Sequence, residues 1–239
     1  MIKVSVIHCS TRANGRTAFL SKAFIKGLKE TKNLEIKEYQ LSEWKLKPCI
    51  GNSCSQCWFK NGGTCIIDDD FTKNINKISK SNFLIFTSPI WLGNATHLFK
   101  LFTERLYSIV KPYFVKNGLY YGHSRISEQE IKIFLISTCA LPGVHNFQAL
   151  IKHLQAFDYL GNFTYYGEIL KPSSLELQIL DAKKMSEIEK NCYMAGKNLT
   201  TNPSETMYYA KLILDQEMDT ESYINYCNSK FKNLIDTKD

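Results

Sequence analysis

The sequence predicts an α/β fold in which helices cover both faces of a parallel sheet. Short runs rich in β-branched and aromatic residues alternate along the chain with stretches whose apolar residues recur every three or four positions. One run, 83–87 (Phe-Leu-Ile-Phe-Thr), is almost continuously apolar, as expected for a strand that is buried on both faces. Alternation of this kind is typical of βαβ units, and five strands fit a doubly wound sheet.

The predicted elements follow one another in a regular order. The five strands are expected over residues 2–7, 34–40, 83–87, 131–137 and about 162–169. Helices with one apolar face are expected between or after them, over about 17–31, from Phe71 to Ile78, from Leu98 to Ile109, over about 145–159 and from Met185 to Leu199. Asp68, Asp69 and Asp70 offer a cap for the second helix. The first strand is less apolar than a central strand usually is, because Lys3 and Ser5 alternate with its apolar residues.

Residues 203–239 lie beyond the five predicted strand–helix units. Pro203 ends the preceding helix, and Met207, Ala210, Leu214 and Met218 are spaced for another. A last helix is predicted from Ile224, Cys227, Phe231 and Leu234. The sequence therefore predicts a domain over 1–202 and a helical extension over 203–239, which either packs on the domain or embraces a second subunit.

Composition narrows the function classes. The chain has 239 residues, 44% of them hydrophobic, and a net charge of +7 that is spread along its length. It has no stripe of Lys and Arg interleaved with aromatics, so we expect no nucleic-acid partner. We also expect no membrane partner, because no apolar run approaches the roughly 20 residues that span a bilayer. With no secretory signal in the sequence, a cytoplasmic location is predicted.

The turn between the first strand and the first helix is a candidate anion site. The first N–H groups of a helix lack intrahelical partners, and the helix dipole favours negative charge there. Hydroxyl, amide, glycine and arginine residues gather in this turn: Ser10, Thr11, Arg12, Asn14, Gly15, Arg16 and Thr17. The alternative is a simple strand–helix turn with exposed arginines.

Two more loops are expected beside this one. In doubly wound sheets, ligands bind outside the carboxyl ends of the strands, where the strand order reverses. Residues 88–94 follow the third strand, and 138–143 follow the fourth. The first of these loops offers the flat side chain of Trp91 beside backbone and amide donors. A phosphate site next to an aromatic wall suits a phosphorylated planar cofactor.

Three segments carry a resemblance to a known family. They are 10–17 (Ser-Thr-Arg-Ala-Asn-Gly-Arg-Thr), the stretch from Pro48-Cys49-Ile50-Gly51 to Cys65-Ile66-Ile67-Asp68-Asp69, and Ser88-Pro89-Ile90-Trp91 followed by 98–105. In order and spacing, over about residues 1–170, the chain resembles the flavodoxin-like NAD(P)H-dependent FMN reductases and flavoproteins.

The resemblance implies a flavodoxin-like strand order 2-1-3-4-5 and a bound FMN. Residues 10–17 would hold the phosphate of FMN, and the isoalloxazine would lie between two loops that supply Pro89, Ile90, Trp91, Leu92, Gly93, Asn94, Thr138 and Gly143. The implied reaction passes electrons from NAD(P)H through FMN to a small-molecule acceptor or a redox protein. It requires no catalytic side chain. A homodimer is also implied, and Glu104-Arg105 would be structural or at its interface.

Four of the eight cysteines lie close together in the sequence. Cys49, Cys54, Cys57 and Cys65 have the spacing C-x4-C-x2-C-x7-C. Cysteine thiolates in compact runs hold iron–sulfur clusters, and the segment resembles that of the iron–sulfur flavoproteins, whose spacing is tighter by two residues in the first gap and two in the last. The sequence leaves open a cluster on these four cysteines, a structural zinc, and thiols without metal.

Two other function classes remain as alternatives. A phosphatase would use Cys9 as the nucleophile with Arg16 in a phosphate loop, but six residues separate this pair, whereas phosphotyrosine phosphatases have five. An electron carrier without turnover would resemble flavodoxins. Those proteins tend to be strongly acidic, while this chain carries +7, which favours a reductase.

Overall fold

The computed structural model describes residues 1–51, 56–160, 162–215 and 217–236. Its centre is a parallel sheet with the strand order β2-β1-β3-β6-β7. These strands are β1 (Ile2–His8), β2 (Leu34–Gln40), β3 (Phe83–Pro89), β6 (Ile131–Thr138) and β7 (Phe163–Lys171). The predicted α/β class and the parallel five-stranded sheet are confirmed.

The strand order differs in its numbering from the predicted 2-1-3-4-5. Two further strands, β4 (Val110–Asn117) and β5 (Tyr120–Arg125), precede β6 in the sequence and form an antiparallel hairpin outside the main sheet. Both strands mix apolar and polar residues, and most of their side chains are at least partly exposed. The sequence does not predict this hairpin, because its strands lack the continuous apolar run that marks a buried strand of the central sheet.

Strand β1 occupies a central position despite its polar residues. It pairs with β2 on one side and with β3 on the other. Val4, Val6 and Ile7 are buried. Ser5 is buried as well, and its hydroxyl forms a 2.7 Å hydrogen bond with the hydroxyl of Ser81. This bond satisfies the polar group and removes the cost of burying it.

Helices cover both faces of the sheet, and each face has its own cluster of buried apolar side chains. The described α-helices are α1 (Arg16–Leu28), α2 (Asp70–Ile78), α3 (His97–Thr103), α4 (Gln148–Gln155), α5 (Ala182–Asn198), α6 (Pro203–Leu214) and α7 (Thr220–Asp236). Asp69 caps α2, as its position predicts, and accepts a hydrogen bond from the backbone N–H of Phe71 at 3.1 Å. The helix predicted up to Ile109 is α-helical only to Thr103 and continues as a 3-10 helix.

The C-terminal helices pack on the rest of the chain. Ala210 and Ile213 of α6 belong to the apolar cluster on one face of the sheet. The Lys171 ammonium at the end of β7 forms a fully buried ion pair with Glu176 and donates to the carbonyl oxygen of Asp215, which directly follows α6. Because a buried charge needs partners, this contact ties the end of α6 to the carboxyl edge of the sheet. Within the described ranges, the structure has no helix long and apolar enough to cross a membrane.

Helices α1 and α5 approach each other through two glycines. A Cβ atom added at Gly27 would lie 1.8 Å from the carbonyl oxygen of Tyr193, and one added at Gly196 would lie 1.9 Å from that of Phe24. Both obstacles are backbone atoms of the facing helix, which cannot move without separating the helices. Only glycine permits this close packing.

We expect Gly27→Ala to destabilise the protein by about 1–3 kcal/mol, the usual cost of overpacking. The cost arises although alanine is the better helix former by about 1 kcal/mol. Urea denaturation measures the change in the free energy of unfolding. Lys26→Ala, at an exposed position of the same helix, is the control, and equal stability of Gly27→Ala and the wild type would contradict the packing argument.

Candidate functional site

Three loops meet at the carboxyl edge of the sheet, after β1, β3 and β6. Because these strands are parallel neighbours, their carboxyl ends lie side by side. Between the loops is a cavity of about 340 Å³, which is within the range of roughly 300–1,000 Å³ for small-molecule sites. The cavity is lined by Ser10, Thr11, Arg12, Gly15, Arg16, Thr17, Pro89, Ile90, Trp91, Thr96, His97, Thr138, Ala140 and Ser174.

The start of α1 forms one side of this cavity. Gly15 occupies the N-cap position, where it has no side chain to accept from the first N–H groups, and the first turn contains no acidic residue. The loop before it is held in shape because the Ser10 hydroxyl accepts a hydrogen bond from the backbone N–H of Arg12 at 3.1 Å. The helix start therefore presents N–H donors and the positive end of its dipole to the cavity.

Arg16 adds a positive charge to the lining of the cavity. Burial lowers the pKa of the guanidinium below its ordinary value, but an arginine remains charged at neutral pH. Within the described part of the chain, its Nε atom is buried without a hydrogen-bond acceptor. An anion in this cavity would balance the charge of the guanidinium.

Two hydroxyl contacts hold the loops together. Thr17 Oγ1 and Thr138 Oγ1 form a buried 2.6 Å hydrogen bond that joins the start of α1 to the end of β6. The Thr96 hydroxyl, at the N-cap of α3, donates to the carbonyl oxygen of Cys9. Each bond links residues that are far apart in sequence, so the cavity is formed by tertiary contacts between separate loops.

Five predicted site residues lie outside the lining of the cavity. Asn14 instead accepts a hydrogen bond from the Lys22 ammonium at 2.7 Å. Leu92 and Gly93 form the tip of a tight turn, closed by backbone hydrogen bonds between Trp91 and Asn94, and Leu92 is fully exposed. This turn carries Leu92, Gly93 and Asn94 away from the cavity.

Gly143, the fifth of these residues, has a positive φ of 88° and lies beside the His145 ring. It serves the turn after β6 rather than the cavity wall. The direction in which each of these loops turns depends on packing, which local composition does not specify.

Sequence reasoning missed four residues that line the cavity: Thr96, His97, Ala140 and Ser174. Thr96 could have been found, because a threonine before an apolar helical pattern is a typical N-cap. Ser174 follows β7 in a 3-10 helix over Ser174–Gln178. It reaches the site because its N–H donates to the carbonyl oxygen of Cys139 at 2.9 Å, a contact that no sequence motif marks.

The structure does not support Cys9 as a nucleophile. Its side chain is completely buried, and its Sγ donates to the carbonyl oxygen of Ile7 at 3.5 Å. Burial raises the pKa of the thiol far above its ordinary value, so the thiolate that attack on phosphorus requires is not available. Cys9 is a small buried residue at the end of β1.

The cysteine segment forms a second cavity, separate from the first. Cys49, Cys57 and Cys65 line it together with Trp58 and Arg105, among others. Cys54, the remaining predicted ligand, lies outside the described residues. Among those that are described, no group of three or more His, Cys, Asp or Glu side chains is arranged to hold a metal ion. The three thiols therefore line one cavity without forming a ligand set by themselves.

Arg105 organises this segment from the 3-10 helix after α3. Its buried guanidinium pairs with Asp69, and it donates to Cys65 Sγ at 3.2 Å and to Thr72 Oγ1 at 3.0 Å. Burial is the largest effect on Asp69 and raises its pKa. The hydrogen bond and charge of Arg105, together with the backbone N–H groups of Lys47 and Thr72, outweigh burial and hold the pKa of Asp69 below its ordinary value. Glu104 accepts from the backbone N–H of Cys49 at 2.7 Å. The Glu104-Arg105 pair thus has structural contacts with the cysteine segment.

Comparison with known proteins identifies the family. The model of the family described as NADPH-dependent FMN reductase matches residues 2–143. The chain belongs to this family. The predicted family, the NAD(P)H-dependent FMN reductases, is confirmed, and so is FMN as the predicted cofactor.

Two curated relatives are iron–sulfur flavoproteins. The protein of Methanocaldococcus jannaschii is 30% identical over 104 residues, which cover 44% of this chain and 51% of that protein. The protein of Clostridioides difficile is 33% identical over 110 residues, which cover 45% of this chain and 47% of that protein. The chain spans about half the length of the curated relatives it matches.

Solved structures of low sequence identity share the fold. An azoreductase from Bacillus anthracis superimposes with a TM-score of 0.60 at 12% identity, over 83% of this chain and 100% of that chain. An NAD(P)H:quinone oxidoreductase from Methanothermobacter marburgensis gives a TM-score of 0.57 at 12% identity, over 83% of this chain and 98% of that chain. The flavodoxin-like fold class is therefore confirmed, with the hairpin and the C-terminal helices as further elements.

Replacement of Asp69 by Asn should lower the free energy of unfolding by about 3–5 kcal/mol, because it leaves the Arg105 guanidinium buried without a counter-charge. Asp68→Asn makes the same chemical change at the exposed neighbouring position and should leave stability almost unchanged. Chemical denaturation of both variants tests this. If the denaturation curves of Asp69→Asn and the wild type have similar midpoints and slopes, the Asp69–Arg105 ion pair does not stabilise the cysteine segment.

Proposed function

We propose that this chain is an FMN-dependent oxidoreductase that takes electrons from NAD(P)H and passes them to a small-molecule acceptor or a redox protein. The observation that carries the proposal is the cavity at the carboxyl edge of the sheet, which is lined by the start of a helix that has no acidic residue in its first turn and by the positively charged side chain of Arg16. A phosphate group supplies the negative charge and the acceptors that this side of the cavity requires.

Different residues of the cavity are proposed to contact different parts of FMN. Ser10, Thr11, Arg12, Gly15, Arg16 and Thr17 are proposed to hold the FMN phosphate, with Asn14 supporting the loop through its bond to Lys22. Pro89, Ile90 and Trp91 offer an apolar wall for the isoalloxazine, and Thr138 closes the cavity from β6. The remaining predicted residues are proposed to shape the turns beside these walls and not to contact FMN. They are Leu92, Gly93, Asn94 and Gly143.

The protein's role in the reaction is to bind and orient. FMN, when bound, supplies the redox chemistry of hydride acceptance and electron delivery. The chain's own residues would hold the phosphate at the start of α1 and contact the isoalloxazine through the walls after β3 and β6. No side chain has to act as nucleophile or general base, in agreement with the burial of Cys9.

A cytoplasmic homodimer is part of the same proposal. Trp91, which lines the cavity, is 69% exposed, and Leu92, at the tip of the turn that follows it, is 100% exposed. Large exposed apolar side chains beside a ligand site are a surface that a second subunit could cover.

Arg16→Gln should weaken FMN binding by about 10- to 100-fold, because a charge-assisted hydrogen bond contributes about 1.5–3 kcal/mol and each 1.4 kcal/mol is tenfold. Binding is measured by quenching of flavin fluorescence on titration into the apoprotein. Lys26→Gln removes a positive charge from an exposed position of α1 and should bind FMN as the wild type does. The affinity for riboflavin, which has no phosphate, should be the same for both variants.

If Arg16→Gln binds FMN as tightly as the wild type, Arg16 does not contact the phosphate, and the phosphate site lies elsewhere. Wild-type protein that does not bind FMN at micromolar concentration would overturn the proposed function.

Anaerobic mixing of the FMN-loaded protein with NADH and with NADPH separates a reductase from an electron carrier, since only a reductase loses its visible flavin absorbance within the time of turnover. Absence of bleaching with both donors favours the carrier.

A second candidate is an electron carrier with an iron–sulfur cluster on Cys49, Cys54, Cys57 and Cys65. It is supported by the three thiols that line one cavity and by the relatives named iron–sulfur flavoproteins. Anaerobically purified protein should then contain iron and acid-labile sulfide in equal amounts. Cys65→Ser should lose both, while Cys192→Ser, at a buried position in the other part of the fold, should retain them. Iron near zero after anaerobic reconstitution would exclude this candidate.

A further inference from the structure

The C-terminal helix α7 directs two buried side chains toward the carboxyl edge of the sheet. Tyr223 and Cys227 are four residues apart, so they lie on one face of the helix. Tyr223 is 2% exposed and Cys227 is 8% exposed, whereas most of the neighbouring positions on α7 are exposed. These two residues are therefore the buried part of the contact between α7 and the rest of the chain.

Tyr223 reaches the wall of the candidate cofactor cavity. Its phenol donates a hydrogen bond to the carbonyl oxygen of Ala140, and Ala140 lines the cavity. Burial raises the pKa of the phenol, so the group remains protonated and able to donate. The loop around Ala140 is otherwise held through backbone bonds on either side, from Cys139 to Lys171 and from Ser173 to Leu141.

Arg16 and Ala140 line the same cavity but belong to different loops, after β1 and after β6. A ligand that contacts both loops requires the wall at Ala140 to keep its position. The hydrogen bond from Tyr223 holds that wall.

Other contacts hold α7 in this position. Lys171 binds the carbonyl oxygen of Asp215 at the end of α6, and Lys184 of α5 pairs with Glu217 just before α7. On α7 itself, the Lys230 ammonium donates to Gln178 Oε1 at 3.1 Å. The orientation of Tyr223 is therefore determined by contacts on both sides of it.

We propose that Tyr223 is a positioning residue of the FMN site, which makes the C-terminal helix a working part of that site. Its hydrogen bond fixes the carbonyl of Ala140 and, with it, the cavity wall after β6. This inference rests on the proposed function, because it requires FMN in the cavity. It extends the site beyond residues 2–143, over which the family model matches.

The test compares Tyr223→Phe with Tyr226→Phe in the full chain. Both substitutions remove one hydroxyl from the same helix, but Tyr226 is partly exposed and its ring lies beside Lys230, 5.8 Å from the ammonium. Titration of FMN into each apoprotein should show affinity about 3- to 10-fold weaker for Tyr223→Phe, the range expected for one buried hydrogen bond. Tyr226→Phe should bind as the wild type does.

A second measurement separates positioning from a general loss of stability. At saturating FMN, the visible circular dichroism of the bound flavin reports its surroundings, and Tyr223→Phe should change this spectrum while Tyr226→Phe should not. Cys227→Ala, on the same helix face, should cause a smaller change in the same direction. It serves as the test variant if Tyr223→Phe shows no cooperative thermal unfolding.

The outcomes distinguish the two proposals. If the wild type binds FMN and Tyr223→Phe matches it in affinity and in spectrum, the inference about Tyr223 is wrong and the proposed function stands. Equal losses in Tyr223→Phe and Tyr226→Phe would also overturn it, since they would show a general effect of the helix. Wild-type protein that fails to bind FMN would overturn the proposed function and this inference together.

Discussion

The hydrogen bond between the hydroxyls of Thr17 and Thr138 is the contact on which the candidate site depends. It is buried and 2.6 Å long, and it joins the first turn of α1 to the last residue of β6. Strand β3 lies between β1 and β6, and the Thr96 hydroxyl links the loop after β3 to the carbonyl of Cys9. Parallel strands bring their carboxyl ends together, but these bonds set the distances between the loops. The start of α1 lines the cavity because these hydrogen bonds hold it against the loops after β3 and β6.

A buried ion pair between Arg105 and Asp69 holds the cysteine segment in place. Arg105 and Asp69 are both buried, and the guanidinium also contacts Cys65 and the ring of Phe71, 4.4 Å from the ring centroid. Burying two charges costs desolvation energy, so the pair adds little net stability. It requires its neighbours to adopt one arrangement, because either charge without its partner would be strongly destabilising. It fixes Cys65 and the start of α2 relative to the 3-10 helix that follows α3. The segment that lacks a helical or strand pattern in the sequence therefore owes its described conformation to long-range polar contacts.

The C-terminal helices show how an extension can become part of a site. α6 buries apolar side chains against the sheet, and α7 contacts the cavity wall mainly through Tyr223. The buried Lys171–Glu176 pair lies where the end of β7, the 3-10 helix and the end of α6 meet. Because this pair satisfies a carbonyl of the extension, the two parts of the chain are joined by more than apolar packing. The extension and the loops of the sheet form one continuous structure around the carboxyl edge.

The α/β class, the five strands of the sheet, the cap of α2 and the three loops at the site can be predicted from sequence alone, because apolar periodicity and turn composition are local properties. Arg16, Thr17 and Trp91, which the sequence predicts as site residues, line the cavity. The hairpin β4–β5 has a weak pattern and is not predicted. Tertiary packing turns Leu92 and Gly143 away from the cavity, brings Ala140 and Ser174 to its lining and brings Tyr223 to Ala140. Loop direction and contacts between residues far apart in sequence depend on how packed elements meet, which no local pattern encodes.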